Sequence, residues 1–329
     1  MDASTEGFRL VLAPLHGVTG KAFRAAYFAR FRGFDSCVAP FILAAGVKSP
    51  RPTHFRELEP DGQAGIPLVP QLLGNDAKAF LATAAVLEGY GYRELDWNLG
   101  CPYPMVANKG RGSGLLPHTD RVERFLDEVC PRLGPSLSVK VRLGRESPDE
   151  LVALMPVLAR FPLATVTIHA RLGVQMYSGE VDLDGFARAA ELCPHPVAYN
   201  GDLRDERTLA RLRGRFPAVR EWMLGRWALY DPFLPARLKG LAPDPAPSET
   251  LRAFHDELYA RYREALSGPG HVLSKMKEAW TYFGRSLACP ARALEAVARA
   301  KGFADYEAAA GAALGAGYRG TPLPAARLR

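Results

Sequence analysis

Cys101 stands where a short apolar run ends, in Leu95-Asp96-Trp97-Asn98-Leu99-Gly100-Cys101-Pro102. Glycine and proline close such a run, so the thiol falls at the mouth of whatever the strand is buried in. The glycine-rich basic segment Asn108-Lys109-Gly110-Arg111-Gly112-Ser113-Gly114 follows. A thiol at a strand end beside a basic loop suits chemistry on an anionic substrate. The plainer alternative is a buried structural cysteine next to an ordinary turn, since free cysteine is often buried.

Other polar residues fall in equivalent places. Pro14, Gln71, Asn98, Lys140, His169, Asn200 and Arg226 each sit at or near the C-terminal end of a different short apolar run. Placement at so many run ends points to one shared site rather than to separately satisfied core groups. Lys140 could form a Schiff base or stabilise a developing anion, and a cation beside a reduced flavin would favour its anionic state. His169 could donate to a phosphate or a ring atom, and Gln71 to the edge of a planar heterocycle. Asn200-Gly201-Asp202 and Gly225-Arg226 have the makings of a phosphate grip. Glycine lets the backbone approach the anion, and arginine supplies a charged fork.

The elements that must position these residues alternate along the chain. Strands are expected at 10–14, 36–41, 66–72, 94–98, 137–142, 164–169, 196–200 and 221–224. Helices are expected at 20–30, 77–88 (capped by Asp76), 120–130 (capped by Thr119), 148–161, 184–193 and 205–214. Residues 48–65, polar and rich in proline and glycine, form a long connection. Eight strands separated mostly by helices predict an α/β fold, a (β/α)8 TIM barrel, whose active site gathers at the C-terminal strand ends. A doubly wound sheet would place a glycine-rich loop after its first strand, and Pro14-Leu15-His16-Gly17 is not one. Pro243, Pro245 and Pro247 make a stiff linker. Beyond it, apolar stripes at helical spacing predict a small C-terminal helical bundle, and 319–329 reads as a loose basic tail. The expected organisation is a catalytic barrel at 1–240, a helical domain at 241–318 and the tail.

The chain has 329 residues, 48% hydrophobic and 23% charged, an ordinary globular composition. No run approaches the roughly 18 apolar residues of a membrane span, and Met1-Asp2-Ala3-Ser4-Thr5-Glu6 is not a signal peptide. Five scattered cysteines without a C-x-x-C pair argue against a zinc site or a disulfide framework. They fit a reducing cytoplasm. The formal charge is +7, and residues 251–329 hold 12 Lys/Arg against 7 Asp/Glu, so much of the excess lies at the C-terminal end. Such a basic face can bind nucleic acid.

In their order and spacing, several segments resemble the tRNA-dihydrouridine synthases. They are Leu12-Ala13-Pro14-Leu15 with Gly17-Val18-Thr19, Asn98-Leu99-Gly100-Cys101-Pro102, Lys109-Gly110-Arg111-Gly112-Ser113-Gly114-Leu115-Leu116 and Val139-Lys140-Val141-Arg142-Leu143-Gly144. His169-Ala170-Arg171, Tyr177-Ser178-Gly179, Asn200-Gly201-Asp202 and Gly225-Arg226 continue the series. The resemblance implies FMN-dependent reduction of the C5–C6 double bond of selected tRNA uridines, with NADPH as electron donor. It implies that Cys101 is the proton donor. Pro14, Leu15, His16, Gln71, Lys140, His169, Asn200, Gly201, Asp202, Gly225 and Arg226 would hold FMN. Asn98, Lys109, Arg111, Arg171 and Tyr177 would meet the RNA, around a base drawn out of its stack. Residues 274–283 lean toward the bacterial subgroup acting at D-loop position 16. The sequence departs from the usual family pattern at His16, Trp97 and Leu172. A cytoplasmic monomer using tRNA, with neither metal nor membrane, is the resulting expectation. The alternatives are an FMN barrel enzyme acting on a free pyrimidine or other small molecule, a non-catalytic RNA-binding barrel, and a Schiff-base aldolase using Lys140.

Overall fold

The computed structural model describes residues 7–44, 52–60, 65–289 and 291–320. Most of the expected tail, 321–329, and part of the 48–65 connection lie outside the described residues. The chain divides into two compact units. The first comprises the described parts of Met1–Pro14, Asp35–Asp61 and Pro67–Leu224; the second those of Leu15–Phe34, Gly62–Ile66 and Gly225–Arg329.

The first unit is built on one parallel sheet. Its strands are β1 (Arg9–Leu12), β2 (Ser36–Val38), β3 (Ile42–Leu43), β4 (Leu68–Val69), β5 (Gln71–Leu73), β6 (Glu94–Leu99), β7 (Ser136–Arg142), β8 (Leu163–His169), β9 (Val197–Asn200) and β10 (Glu221–Leu224). The order is β3-β5-β6-β7-β8-β9-β10-β1-β2-β4. The sheet closes because β4 and β5 are halves of one stave parted only by Pro70, which has no N–H to give a ladder. On one side this stave pairs with β2 through Cys37–Leu68 and with β3 through Ile42–Leu72. On the other, Gln71 pairs with Asp96 of β6, and the Pro70 carbonyl accepts the Asp96 N–H at 2.9 Å. With β2 and β3 likewise counted as one broken stave, eight staves form the expected (β/α)8 barrel.

Side chains alternate across each strand, and β6 shows what that does. Leu95 and Trp97 face the surrounding helices. The Trp97 ring stacks on Phe125 of the helix Thr119–Val129 at 4.1 Å and donates its indole N–H to the Gly74 carbonyl at 2.9 Å. Glu94, Asp96 and Asn98 alternate to the other face, the barrel interior. The helices Ala77–Gly89, Asp149–Leu158, Leu183–Leu192 and Glu206–Arg215 complete the alternation. Asp76 caps the first of these as expected, accepting from the Ala79 N–H at 3.0 Å. Thr119 instead begins its helix, with His118 in the cap position and no side-chain bond there.

The second unit is helical. Its helices are Lys21–Phe28, Arg226–Tyr230, Leu234–Leu238, Pro247–Ala265, Gly268–Phe283, Ala291–Arg299 and Phe303–Leu314. Phe254 is its aromatic centre, with ring centroids 5.6 Å from Phe23, 5.3 Å from Phe31 and 5.7 Å from Phe283. These rings explain why the helix Lys21–Phe28, which follows the first strand in sequence, clusters with C-terminal helices. Buried His255 bonds Tyr306 Oη at 2.7 Å, and Trp280 donates to the same oxygen at 2.9 Å, which ties three helices together. Pro247 does not extend the linker but opens a helix at its first position, where its missing N–H costs nothing.

Candidate active site at the strand ends

Cys101 follows β6 and is buried, 6% exposed. Its backbone is held on both sides. Asn98 Oδ1 accepts from the Gly100 N–H at 3.0 Å and the Cys101 N–H at 2.8 Å. The Cys101 carbonyl accepts from the Ser113 N–H at 3.0 Å and the Ser113 hydroxyl at 3.1 Å. Gly112 packs directly on this turn. Its φ is +54°, and a Cβ there would lie 2.7 Å from the Cys101 carbonyl oxygen. The glycine-rich segment is therefore the seat of the cysteine, and its glycine is required by both space and backbone angle.

Behind the turn runs a chain of amides. Asn98 Nδ2 donates to Gln71 Oε1 at 2.7 Å, and Gln71 Nε2 donates to Asp96 Oδ2 at 2.7 Å. Gln71, Asp96 and Asn98 are all buried. Beside them, half-buried Lys140 donates from Nζ to Asn200 Oδ1 at 2.9 Å, and Asn200 Nδ2 donates to the Met223 carbonyl at 2.8 Å. Strands β6, β7 and β9 thus bring Cys101, Asn98, Lys140 and Asn200 to one end of the barrel.

Burial sets the protonation of this cluster. It pushes the Cys101 thiol up, against the opposing pull of the Tyr103 backbone bond and the Arg142 and Lys140 charges. A thiol so placed keeps its proton at neutral pH and is not a ready nucleophile. Burial, then Arg142, lowers Lys140 to about 8, while Asp96 and Cys101 pull it back up. Burial raises Asp96 to about 7, opposed by its Gln71 bond and by Lys140.

Arg142 was not singled out from sequence. It donates from Nε to the Gly100 carbonyl at 2.9 Å and from Nη1 to the Leu172 carbonyl at 2.8 Å, and lies 5.4 Å from the Tyr177 ring centroid. One guanidinium thereby joins the loops after β6 and β8. The signal was present in the two-residue period of β7, which sets Arg142 on the same face as Lys140.

The remaining expected residues divide. His169 is buried at the end of β8, paired in register with Asn200 and Arg142. Tyr177 is 45% exposed on the loop beyond it. Lys109 is exposed; Arg111 donates from Nε to Asn75 Oδ1 at 3.2 Å. Arg171, expected to meet RNA, is only 2% exposed and is engaged inside the protein. Its Nη1 and Nη2 donate to Asp202 at 3.1 and 2.6 Å, and it also bonds the Gly179 carbonyl at 2.9 Å. Asp202, expected near a phosphate, gives its carboxylate to Arg171 and, at 3.1 Å, to Arg204. Gly201 follows Asn200 at the end of β9, and Pro14 is half-buried just past β1. Leu15, His16, Gly225 and Arg226 belong to the second unit. There His16 is held below its usual range by partial burial and by Lys275, with Glu278 opposing. Gly225 precedes the helix that Arg226 opens.

Among the described residues no group of three or more His, Cys, Asp or Glu is arranged to hold a metal ion, and no helix is long and apolar enough to cross a membrane.

A closed parallel barrel with its polar residues at the C-terminal strand ends is the arrangement of (β/α)8 enzymes. Solved structures agree on the fold. Morphinone reductase in complex with tetrahydroNAD superposes with a TM-score of 0.51 at 12% identity, covering 74% of this chain and 90% of that one. Residues 11–291 match the dihydrouridine synthase family. A tRNA-dihydrouridine(16) synthase of Ralstonia nicotianae is 31% identical over 249 residues, 73% of this chain and 76% of that protein. One from Pseudomonas putida is 28% identical over 284 residues, covering 82% and 86%. The tRNA-dihydrouridine synthase B of Proteus vulgaris is 29% identical over 231 residues, covering 68% and 69%. The chain belongs to the dihydrouridine synthase family.

Proposed function

We propose that this protein reduces a D-loop uridine of tRNA to dihydrouridine, with FMN as resident cofactor and NADPH as electron donor. The observation that carries the reading is Cys101. Its backbone is fixed on both sides, and burial keeps its thiol protonated beside Lys140.

The residues present suit a flavin. Gln71 retains one Nε2 hydrogen, and Lys140 two of its three, with no acceptor among the described residues. Spare donors at a barrel mouth, on one buried and one half-buried side chain, call for an acceptor-rich ligand. Gln71 and Lys140, with His169, Asn200, Gly201 and Pro14, would hold FMN. When bound, FMN supplies the hydride that saturates uracil C6. Cys101 would give its proton to C5, and among the described residues its thiol meets the Tyr103 backbone and the charges of Arg142 and Lys140, not a base, which suits an acid. Asn98 and Tyr177 lie on the β6 and β8 sides of the same mouth, where an extruded base would enter. Exposed Lys109, with Arg111, would meet the RNA backbone. Asp202, its carboxylate bonded to Arg171 and Arg204, would stand at the phosphate end of FMN. Among the described residues Cys37, Cys101, Cys130, Cys193 and Cys289 form no disulfide, which fits a reducing cytoplasm. A monomer with the basic helical end against the tRNA is the expected working form.

The test is to incubate purified protein, FMN and NADPH with unmodified tRNA and map the gain of two hydrogens by mass spectrometry. Dihydrouridine at position 16 of the D-loop is expected. Reduction of free uracil with untouched tRNA would replace this reading with that of a small-molecule reductase.

A further inference from the structure

The carboxylate of Asp96 lies inside the barrel, 2% exposed, and its one hydrogen bond among the described residues comes from Gln71 Nε2 at 2.7 Å. An ionisable group in that position is expensive, and an apolar residue of similar volume is commonly no less stable there. Its neighbours are mixed. Lys140 attracts it, while Glu94 and Glu221 repel its charge. The pairing with Gln71 is built into the sheet, because Gln71 and Asp96 are register partners across β5 and β6.

The direction of the hydrogen bonds follows from the two ends of the chain of amides. At one end, the backbone N–H groups of Gly100 and Cys101 can only donate, so Asn98 must present Oδ1 to them. That turns Asn98 Nδ2 toward Gln71, which must then present Oε1. Gln71 is left with Nε2 at the far end, and only an acceptor can close the chain. Asp96 is that acceptor. Were either amide reversed, two donors or two acceptors would face each other inside the barrel.

We propose that Asp96 is a positioning residue, which fixes the Gln71 and Asn98 amides in one orientation and through them the turn that carries Cys101. It touches no reacting atom. The proposal rests on reading Cys101 as the proton donor, and its test separates the two.

The variants are Asp96→Leu, which removes the acceptor at similar volume, and Asp96→Asn, which keeps an acceptor oxygen. Flavin-loaded full-length protein is treated with iodoacetamide, and Cys101 modification is followed by peptide mass spectrometry. In parallel, kcat and KM are measured on tRNA. Asp96→Leu is expected to speed Cys101 alkylation several-fold as the turn loosens. It is expected to lower kcat by about tenfold to a hundredfold through misplacement of the donor, with KM for tRNA little changed. Asp96→Asn is expected to recover most of both effects. Wild-type alkylation and kcat in Asp96→Leu would overturn the proposal. So would an Asp96→Asn protein as impaired as Asp96→Leu, because the charge and not the acceptor would then matter. A thermal melt accompanies each variant, and Asp96→Ala takes the same comparison if Asp96→Leu does not fold. If the wild-type protein makes no dihydrouridine, the reading of function fails, while the alkylation rates still decide whether Asp96 holds the turn.

Discussion

Asn98 Oδ1 lies 2.8 Å from the backbone nitrogen of Cys101, and the same oxygen accepts the N–H of Gly100 at 3.0 Å. One side chain thus holds the turn on which the thiol sits. Replacing Asn98 by Ala strands both N–H groups and leaves Gln71 Oε1 without its donor. Groups orphaned in this way cost about 1–3 kcal/mol each when buried. A lower melting temperature and at least a tenfold loss of dihydrouridine formation are expected. Asn98→Asp keeps the acceptor for the backbone but sets oxygen against oxygen at Gln71, so it should not restore the wild type. An Asn98→Ala protein that melts and turns over normally would remove the turn from the argument.

Cys101→Ala should separate the two halves of the reaction. Loss of a positioned acid costs about 10²–10⁴-fold in rate, so product formation on tRNA should nearly cease. Oxidation of NADPH by the flavin-loaded protein should continue, since Lys140 and Gln71 are untouched. Stopped-flow bleaching of the flavin at the wild-type rate, with no dihydrouridine formed, is the expected pair of results. Normal product from Cys101→Ala would mean that another group is the acid.

The pH dependence has opposite signs for activity and stability. Lys140 is lowered from 10.5 to about 8, chiefly by burial. Its charge is lost as pH rises through about 8, while the raised Cys101 thiol keeps its proton there. Dihydrouridine formation should therefore fall above about pH 8, and Lys140→Arg, which stays charged, should move that limb upward. Stability runs the other way. Between about 8 and 10.5 the unfolded chain binds the Lys140 proton and the native chain does not, so this contribution rises with pH. The stability gained by Lys140→Met should accordingly be largest below pH 8 and shrink toward 10.5, as urea midpoints across that range would show.

The barrel was legible because its signals are local. Short apolar runs closed by proline or glycine, with a polar residue at each end, gave the staves and placed Gln71, Asn98, Lys140 and Asn200. The helix Lys21–Phe28 was harder, since its period reads the same whether Phe23 faces a sheet or Phe254. Arg142 and Asp96 were passed over because their roles come from pairing across strands, with Gly100 and Gln71 respectively, and register is not written in one strand. The bond of Arg171 to Asp202 was hidden for the same reason. An arginine after a strand end looks like a ligand group until its partner on the next loop is seen.

That partner gives the last prediction. Arg171 and Asp202, 2% and 12% exposed at their side chains, meet through two bonds of 3.1 and 2.6 Å. They tie the loop after β8 to the loop after β9. Removing one member of such a buried pair costs about 3–5 kcal/mol, because the other charge is left desolvated. Arg171→Ala should therefore lower the melting temperature markedly. Arg171→Lys should recover little, since an ammonium cannot form the fork and also reach the Gly179 carbonyl. The double variant Arg171→Ala with Asp202→Ala should be more stable than Arg171→Ala alone, as it also removes a carboxylate that has lost its buried fork and keeps the exposed Arg204. If Arg171 instead serves the RNA directly, the melting temperature of Arg171→Ala will stay near the wild type while tRNA affinity falls. Thermal melts beside a salt-controlled tRNA titration distinguish the two.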